Sequence, residues 1–260
     1  MINAKRIVVK VGSSTLTHPA TGKINLRRID ELTRTLADLM NAGKEVVLVS
    51  SGAMAVGRSR LGVERSGSMA EKQASAAVGQ CELMYLYDRA FANYSKTTAQ
   101  VLLTRDVIDR PHCKENVENT LEALLAMGVI PIVNENDTVS YEEIEIGDND
   151  TLSAIVATLV GADTLVLLTD IDGLYNKNPA EADAKLVPVV YQIDDDIRAV
   201  AGGAGSKVGT GGMITKIHAA EIATQAGITM VIAKGEDPSV LYDIFDGKAV
   251  GTVFLPQPKN

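Results

Sequence analysis

Ile7-Val8-Val9-Lys10-Val11-Gly12-Ser13-Ser14 and Glu45-Val46-Val47-Leu48-Val49-Ser50-Ser51-Gly52 flank a segment in which Ile29, Leu32, Leu36 and Leu39 recur at helical spacing and Gly43 acts as a stop. Two β-branched runs joined by an amphipathic helix make a β-α-β unit. The runs are apolar almost throughout, as strands of a parallel sheet covered on both faces must be. The alternation continues outward, with helices predicted over Met69–Tyr94, about Glu115–Met127, Asp148–Val160 and Met213–Ala226. Strands are predicted at Gln100–Leu103, Val129–Val133, Thr164–Leu168 and Thr229–Ala233. No Pro-, Gly- or Ser-rich linker interrupts the series, and the Gly-rich stretch Gly202–Gly212 is too short to separate domains. The pattern predicts an α/β protein with one continuous sheet and two functional halves.

Composition narrows the function. The 260 residues carry a formal charge of −8, with 46% hydrophobic and 22% charged residues, as in an ordinary globular protein. An acidic balance lacks the cationic surface that drives nucleic-acid affinity, and three Phe, seven Tyr and no Trp leave few platforms for base stacking. No nucleic-acid partner is expected. Cys81 and Cys113, and His18, His112 and His218, stand far apart without metal-ligand spacing, so neither a zinc site nor a disulfide framework is expected. The N-terminus lacks the apolar segment and cleavage site of a secretory signal, and no apolar run is long enough for a membrane span. A cytoplasmic protein with no membrane partner is expected.

The chemistry concentrates at strand ends. Gly12-Ser13-Ser14, Ser50-Ser51-Gly52-Ala53 and Asn134-Glu135-Asn136-Asp137-Thr138 each follow a predicted strand, where ligands of open α/β sheets bind. Lys10 reads either as an edge-strand lysine reaching solvent or as an anion ligand. Gly147-Asp148-Asn149-Asp150 precedes a helix; one residue there could be a cap, but the group is more than capping needs. Thr169-Asp170-Ile171-Asp172-Gly173 follows another strand, and Gly209-Thr210-Gly211-Gly212-Met213 opens a helix with Lys216 in its first turn, a setting suited to phosphates. Neither a P-loop nor a G-x-G-x-x-G fingerprint is present. Gly52–Gly79 reads equally as a mobile lid or a plain helical connection. Asp194-Asp195-Asp196 reads as a solvated helix start.

Together these motifs, with Asp172-Gly173-Leu174-Tyr175, resemble the amino acid kinase family from Lys5 to about Phe254, and within it the members that phosphorylate free L-glutamate. The resemblance implies a three-layer αβα sandwich with a mostly parallel sheet in a single domain, 1–260. About 1–160 would hold the amino acid and about 161–260 the nucleotide. It implies ATP-dependent phosphorylation of the glutamate side chain, the entry step of proline biosynthesis, with Mg2+ bound mainly through the nucleotide phosphates and no protein metal ligand. Lys10 and Lys216 would stabilise the transferring phosphoryl group and Asp150 would orient them. Ser50, Asp137 and Asn149 match amino-acid-binding positions. Lys10, Thr169, Asp170, Thr210, Gly211, Gly212, Met213, Ile214, Thr215 and Lys216 match nucleotide-binding ones. Proline as an inhibitor and a homo-oligomer are further expectations. Many family members carry a C-terminal PUA domain, and this sequence stops soon after Phe254. A kinase of another small carboxylate and a silent amino-acid sensor are the competing readings; retention of both lysines with Asp150 argues against the sensor.

Overall fold

A computed structural model of the chain describes residues 1, 3–63, 67–139, 149–202 and 212–257. In chain order these form β1 (Arg6–Val11), α1 (Ser13–Leu16), α2 (Leu26–Asn41), β2 (Glu45–Ser50), α3 (Ala53–Leu61), α4 (Met69–Ala92), β3 (Thr98–Leu103), α5 (Pro111–Ala126) and β4 (Ile130–Glu135). They continue with α6 (Asn149–Leu159), β5 (Thr164–Thr169), β6 (Val189–Val190), α7 (Asp195–Gly202), α8 (Met213–Gln225), β7 (Thr229–Lys234), α9 (Val240–Phe245) and β8 (Thr252–Phe254). The strands make one eight-stranded sheet in the order β3-β4-β2-β1-β5-β7-β8-β6, parallel except where β8 runs antiparallel to β7. The α/β expectation with a mostly parallel sheet therefore holds.

β1 lies between β2 and β5. The chain lays β2 on one side of β1 and returns to lay β5 on the other, so the β1/β5 boundary is a switch point of the sheet, where α/β folds open a crevice at the carboxyl ends of their strands. Lys10 is thus on a central strand, and the edge-strand reading is excluded.

Side-chain alternation then decides which layer each strand residue meets. Ile7, Val9, Val11, Leu48, Ile130 and Ile132 pack in one core with Leu36 of α2, Leu83 and Tyr87 of α4 and Ile244 of α9. Val8, Val47, Val49, Val133, Leu165 and Leu167 pack in the other with Leu121 of α5, Leu152 and Val156 of α6 and Ile217 and Ala220 of α8. Lys10 therefore shares a face with Val8 and meets α6 and α8. Ser50 and Asn134 share a face with Leu48 and Ile132 and meet α4.

Two boundaries differ from expectation with consequences for the site. β4 runs on through Asn134 and Glu135, which the polar composition suggested were loop; both are buried, at 3% and 8% exposure. α5 starts at Pro111, whose fixed φ and missing N–H suit a first turn. The Gly52–Gly79 segment contains α3 and the first part of α4 on either side of 64–66, which lie outside the described residues. Ser68 and Glu71 form a reciprocal capping box that starts α4. The two helices cross at backbone contact: a Cβ on Gly57 would overlap the Ser75 carbonyl oxygen, and one on Gly79 would overlap that of Ala53.

This crossing predicts that Gly79→Ala forces α3 and α4 apart and lowers stability by about 1–3 kcal/mol, the usual cost of overpacking. Urea unfolding of the variant should show a lower midpoint at unchanged slope; an unshifted midpoint would contradict the backbone contact.

Candidate active site

The centre of the crevice is a buried ion triad. Lys10 Nζ lies 2.5 Å from Asp150 Oδ1, and Lys216 Nζ lies 3.0 Å from Oδ2. Thr215 Oγ1 also lies 3.1 Å from Oδ2 and 2.8 Å from the Gly212 carbonyl oxygen, so its one hydroxyl hydrogen can serve either acceptor. Exposure of Lys10, Asp150 and Lys216 is 8%, 1% and 5%. Each member arrives by its element: Lys10 by strand alternation, Asp150 in the first turn of α6, Thr215 and Lys216 in the first turn of α8. Burial pushes the Asp150 carboxyl up, but the Lys10 and Lys216 ammonium groups more than offset it and hold it below its ordinary value. Two cations held by one anion leave the triad with a net positive charge, which favours an anion such as phosphate at this end of the sheet. Gly12, at the end of β1, sits against it: a Cβ there would come 3.8 Å from Lys10 Nζ.

On the other face, amides line the ends of β2 and β4. Asn149 Nδ2 donates to Asn134 Oδ1 at 2.8 Å and to Ser51 Oγ at 2.9 Å, and lies 3.5 Å from the Ser50 carbonyl. Asn134 Nδ2 donates to Gln80 Oε1 of α4 at 2.8 Å. Ser50 Oγ and the Tyr87 hydroxyl are 2.9 Å apart, and Tyr87 is fully buried. Burial pushes the Tyr87 phenol up, against the opposing contact with Ser50, so it stays protonated and able to donate.

Of the expected amino-acid residues, Ser50 and Asn149 are thus brought together through the backbone of Ser50. Asp137 lies in the turn after β4, half-buried, with no hydrogen bond or ion pair among the described residues. Burial pushes its carboxyl up to about 6. Of the expected nucleotide residues, Thr169 ends β5 and donates to Asp170 Oδ1 at 2.9 Å. Met213 and Ile214 open α8, with Ile214 55% exposed. Thr210 and Gly211, like Gly147 and Asp148, lie outside the described residues. Among the described residues no group of three or more His, Cys, Asp or Glu is arranged to hold a metal ion.

Sequence reasoning named Asn134 only within a motif and missed Gln80 and Tyr87. Both sit on one helix two turns apart, and nothing in their spacing separates a ligand-side face from ordinary core.

Residues 5–234 match the amino acid kinase family, and the chain belongs to it. It is 54% identical over 259 residues to a protein named Glutamate 5-kinase from Clostridium perfringens (strain 13 / Type A), covering 97% of this chain and 96% of that one. It is 53% identical over 264 residues to a protein of the same name from Listeria innocua serovar 6a, covering 99% and 95%. Its fold is shared with carbamate kinase from Giardia lamblia bound to AMP-PNP, at a TM-score of 0.67 and 16% identity over 99% of this chain and 100% of that one.

Removing the carboxylate of the triad leaves two like charges buried together. Asp150→Asn should cost about 3–5 kcal/mol, as breaking a buried pair from one side does. The wild-type carboxyl is depressed, so its stabilisation is present above its unfolded value of 3.8 and is lost as pH falls through the lower folded value. Unfolding midpoints should therefore differ most near neutrality and converge in acid; a constant gap would contradict the pairing.

Proposed function

We propose that the chain transfers the γ-phosphoryl group of MgATP to the side-chain carboxylate of L-glutamate, giving L-glutamyl 5-phosphate and ADP, the entry step of proline biosynthesis. The observation that carries this reading is the buried Lys10–Asp150–Lys216 triad at the switch point, in a chain more than half identical to proteins named Glutamate 5-kinase.

A carboxylate oxygen of glutamate attacks the γ-phosphorus, and the bond to the β,γ-bridging oxygen breaks as ADP leaves with its electron pair. The acceptor is already ionised at neutral pH, so no general base is needed. The difficulty is the approach of two anions and the charge spread over the equatorial oxygens of the transition state. Lys10 and Lys216 supply fixed positive charge there, and Asp150 holds them at a separation set by its two oxygens. Magnesium enters on the nucleotide as part of the substrate and neutralises phosphate charge. In this reading Ser50, Asp137 and Asn149 hold the amino acid, residues up to about 160 forming its half. Thr169, Asp170 and the start of α8 hold the nucleotide in the other half.

Asp137 is supported as the ammonium ligand by its burial without a cation among the described residues. Because its value is raised, the ionised form opposes folding: its contribution is present below 3.8 and lost as pH rises through about 6. A substrate ammonium recovers that loss and favours the carboxylate. Proline carries the same α-carboxylate and a cationic nitrogen but no side-chain carboxylate, so at this end of the crevice it would inhibit without accepting phosphate. A cytoplasmic location and a homo-oligomer belong to the same reading. The first fits an acidic chain whose described helices are none of them long and apolar enough to cross a membrane; the second rests on the family resemblance.

The direct test is ADP release dependent on L-glutamate, with hydroxylamine trapping the acyl phosphate as glutamyl hydroxamate; no glutamate dependence would reject the reading. The glutamate KM should also rise as pH is lowered through about 6, where Asp137 gains its proton. In Asp137→Asn it should be raised about tenfold or more at neutral pH and lose this dependence, with the ATP KM little changed. A variant that keeps the acid rise would remove Asp137 from amino-acid binding.

A further inference from the structure

Gln80 is half-buried, and its Nε2 is buried with no partner among the described residues, one of only two such side-chain atoms there. Its place in the amide chain explains why. The Glu135 backbone N–H donates to Asn134 Oδ1 at 2.9 Å, and because an N–H can only donate, this contact identifies the Asn134 oxygen. The Asn134 nitrogen must then face Gln80, whose oxygen accepts at 2.8 Å and whose own nitrogen is left over. On the other side Asn134 Oδ1 takes a hydrogen from Asn149, which spends its second donor on Ser51 Oγ. Turning any one amide over would set donor against donor or acceptor against acceptor. The chain therefore has a direction. It begins at an unused donor on Gln80 and ends at Asn149 Oδ1, which accepts nothing among the described residues.

We propose that Gln80 is a positioning residue: by accepting from Asn134, whose sense the Glu135 N–H sets, it pins that amide in place, so that Asn149 is held as a hydrogen-bond acceptor for the cationic α-amine of the amino acid. The inference rests on the glutamate reading above and deepens it. A site that offers this acceptor together with the Asp137 carboxylate of the reading above selects for an ammonium group, and an amide free to shift would weaken that selection. The placement of α4 suits this role, because its crossing with α3 at Gly79 brings the backbone of the residue beside Gln80 against Ala53, just past the Ser50–Gly52 turn. The depth of Gln80 is thus fixed relative to the strand ends it serves.

The test is steady-state kinetics of Gln80→Leu and, as a second apolar variant of greater flexibility, Gln80→Met. Both should raise the glutamate KM about tenfold while kcat and the ATP KM stay within about twofold. Glutarate, which lacks the amine, should inhibit variant and wild type alike. In an Asn134→Leu background, Gln80→Leu should add no further change, because its effect passes through Asn134. An unchanged glutamate KM, additive effects with Asn134→Leu, or an equal loss of glutarate binding would overturn the assignment. Absence of glutamate turnover by the wild type is a separate result: it would remove the substrate reading, and the inference with it.

Discussion

A single carboxylate holding two buried ammonium groups is the constraint around which this molecule is arranged. Asp150 is 1% exposed and lies within 2.5 Å of Lys10 Nζ and 3.0 Å of Lys216 Nζ, so its carboxylate is a shared counterion for two desolvated charges. Buried pairs of this kind are poor sources of stability compared with apolar packing. A cation pair kept out of water gives the fold an electrostatic feature that apolar packing would not supply. Three elements far apart in sequence, β1, α6 and α8, must converge within hydrogen-bonding distance for it to exist. Their convergence puts the ion triad at the carboxyl end of β1, at the switch point of the sheet.

The second organising feature is the division of labour between sheet faces. Strand alternation sends Lys10 to the helices that carry Asp150 and Lys216, and sends Ser50 and Asn134 to α4 with Tyr87 and Gln80. Charge is concentrated on one side of the strand ends and neutral amides and hydroxyls on the other. Asn149 and Asp150, adjacent at the start of α6, join them: the first reaches the amides, the second the lysines. Their spacing is set by the backbone of one helical turn, so the two chemistries are positioned by the same element.

Much of this was legible in the sequence because parallel strands announce themselves as apolar runs and their carboxyl ends as clusters of Gly, Ser, Asn and Asp. The β-α-β unit from Ile7 to Val49 and the helix after Asp148 could be approached from composition and spacing, and the grouping of Lys10, Asp150 and Lys216 from the family resemblance. The position of Lys10 could not be settled that way, because whether a strand is central or at an edge depends on strand order, a property of the whole sheet. Asn134 and Glu135 read as loop because polar residues usually end strands; here their partners, Gln80 and Asn149 for the first, make burial tolerable. Gln80 and Tyr87 were invisible because a helix of mixed composition does not disclose which face meets a site.

The central claim is that Lys10 and Lys216, fixed by Asp150, bind the transferring phosphoryl group more strongly in the transition state than in the ground state. The most direct measurement is the affinity of ADP with aluminium fluoride in the presence of glutamate, compared with that of ADP and glutamate alone, by calorimetry on wild type, Lys10→Met and Lys216→Met. The account predicts a large gain in affinity from the fluoride in the wild type, lost by about a hundredfold or more in each variant, with ADP affinity nearly unchanged. An equal gain in all three proteins would contradict it.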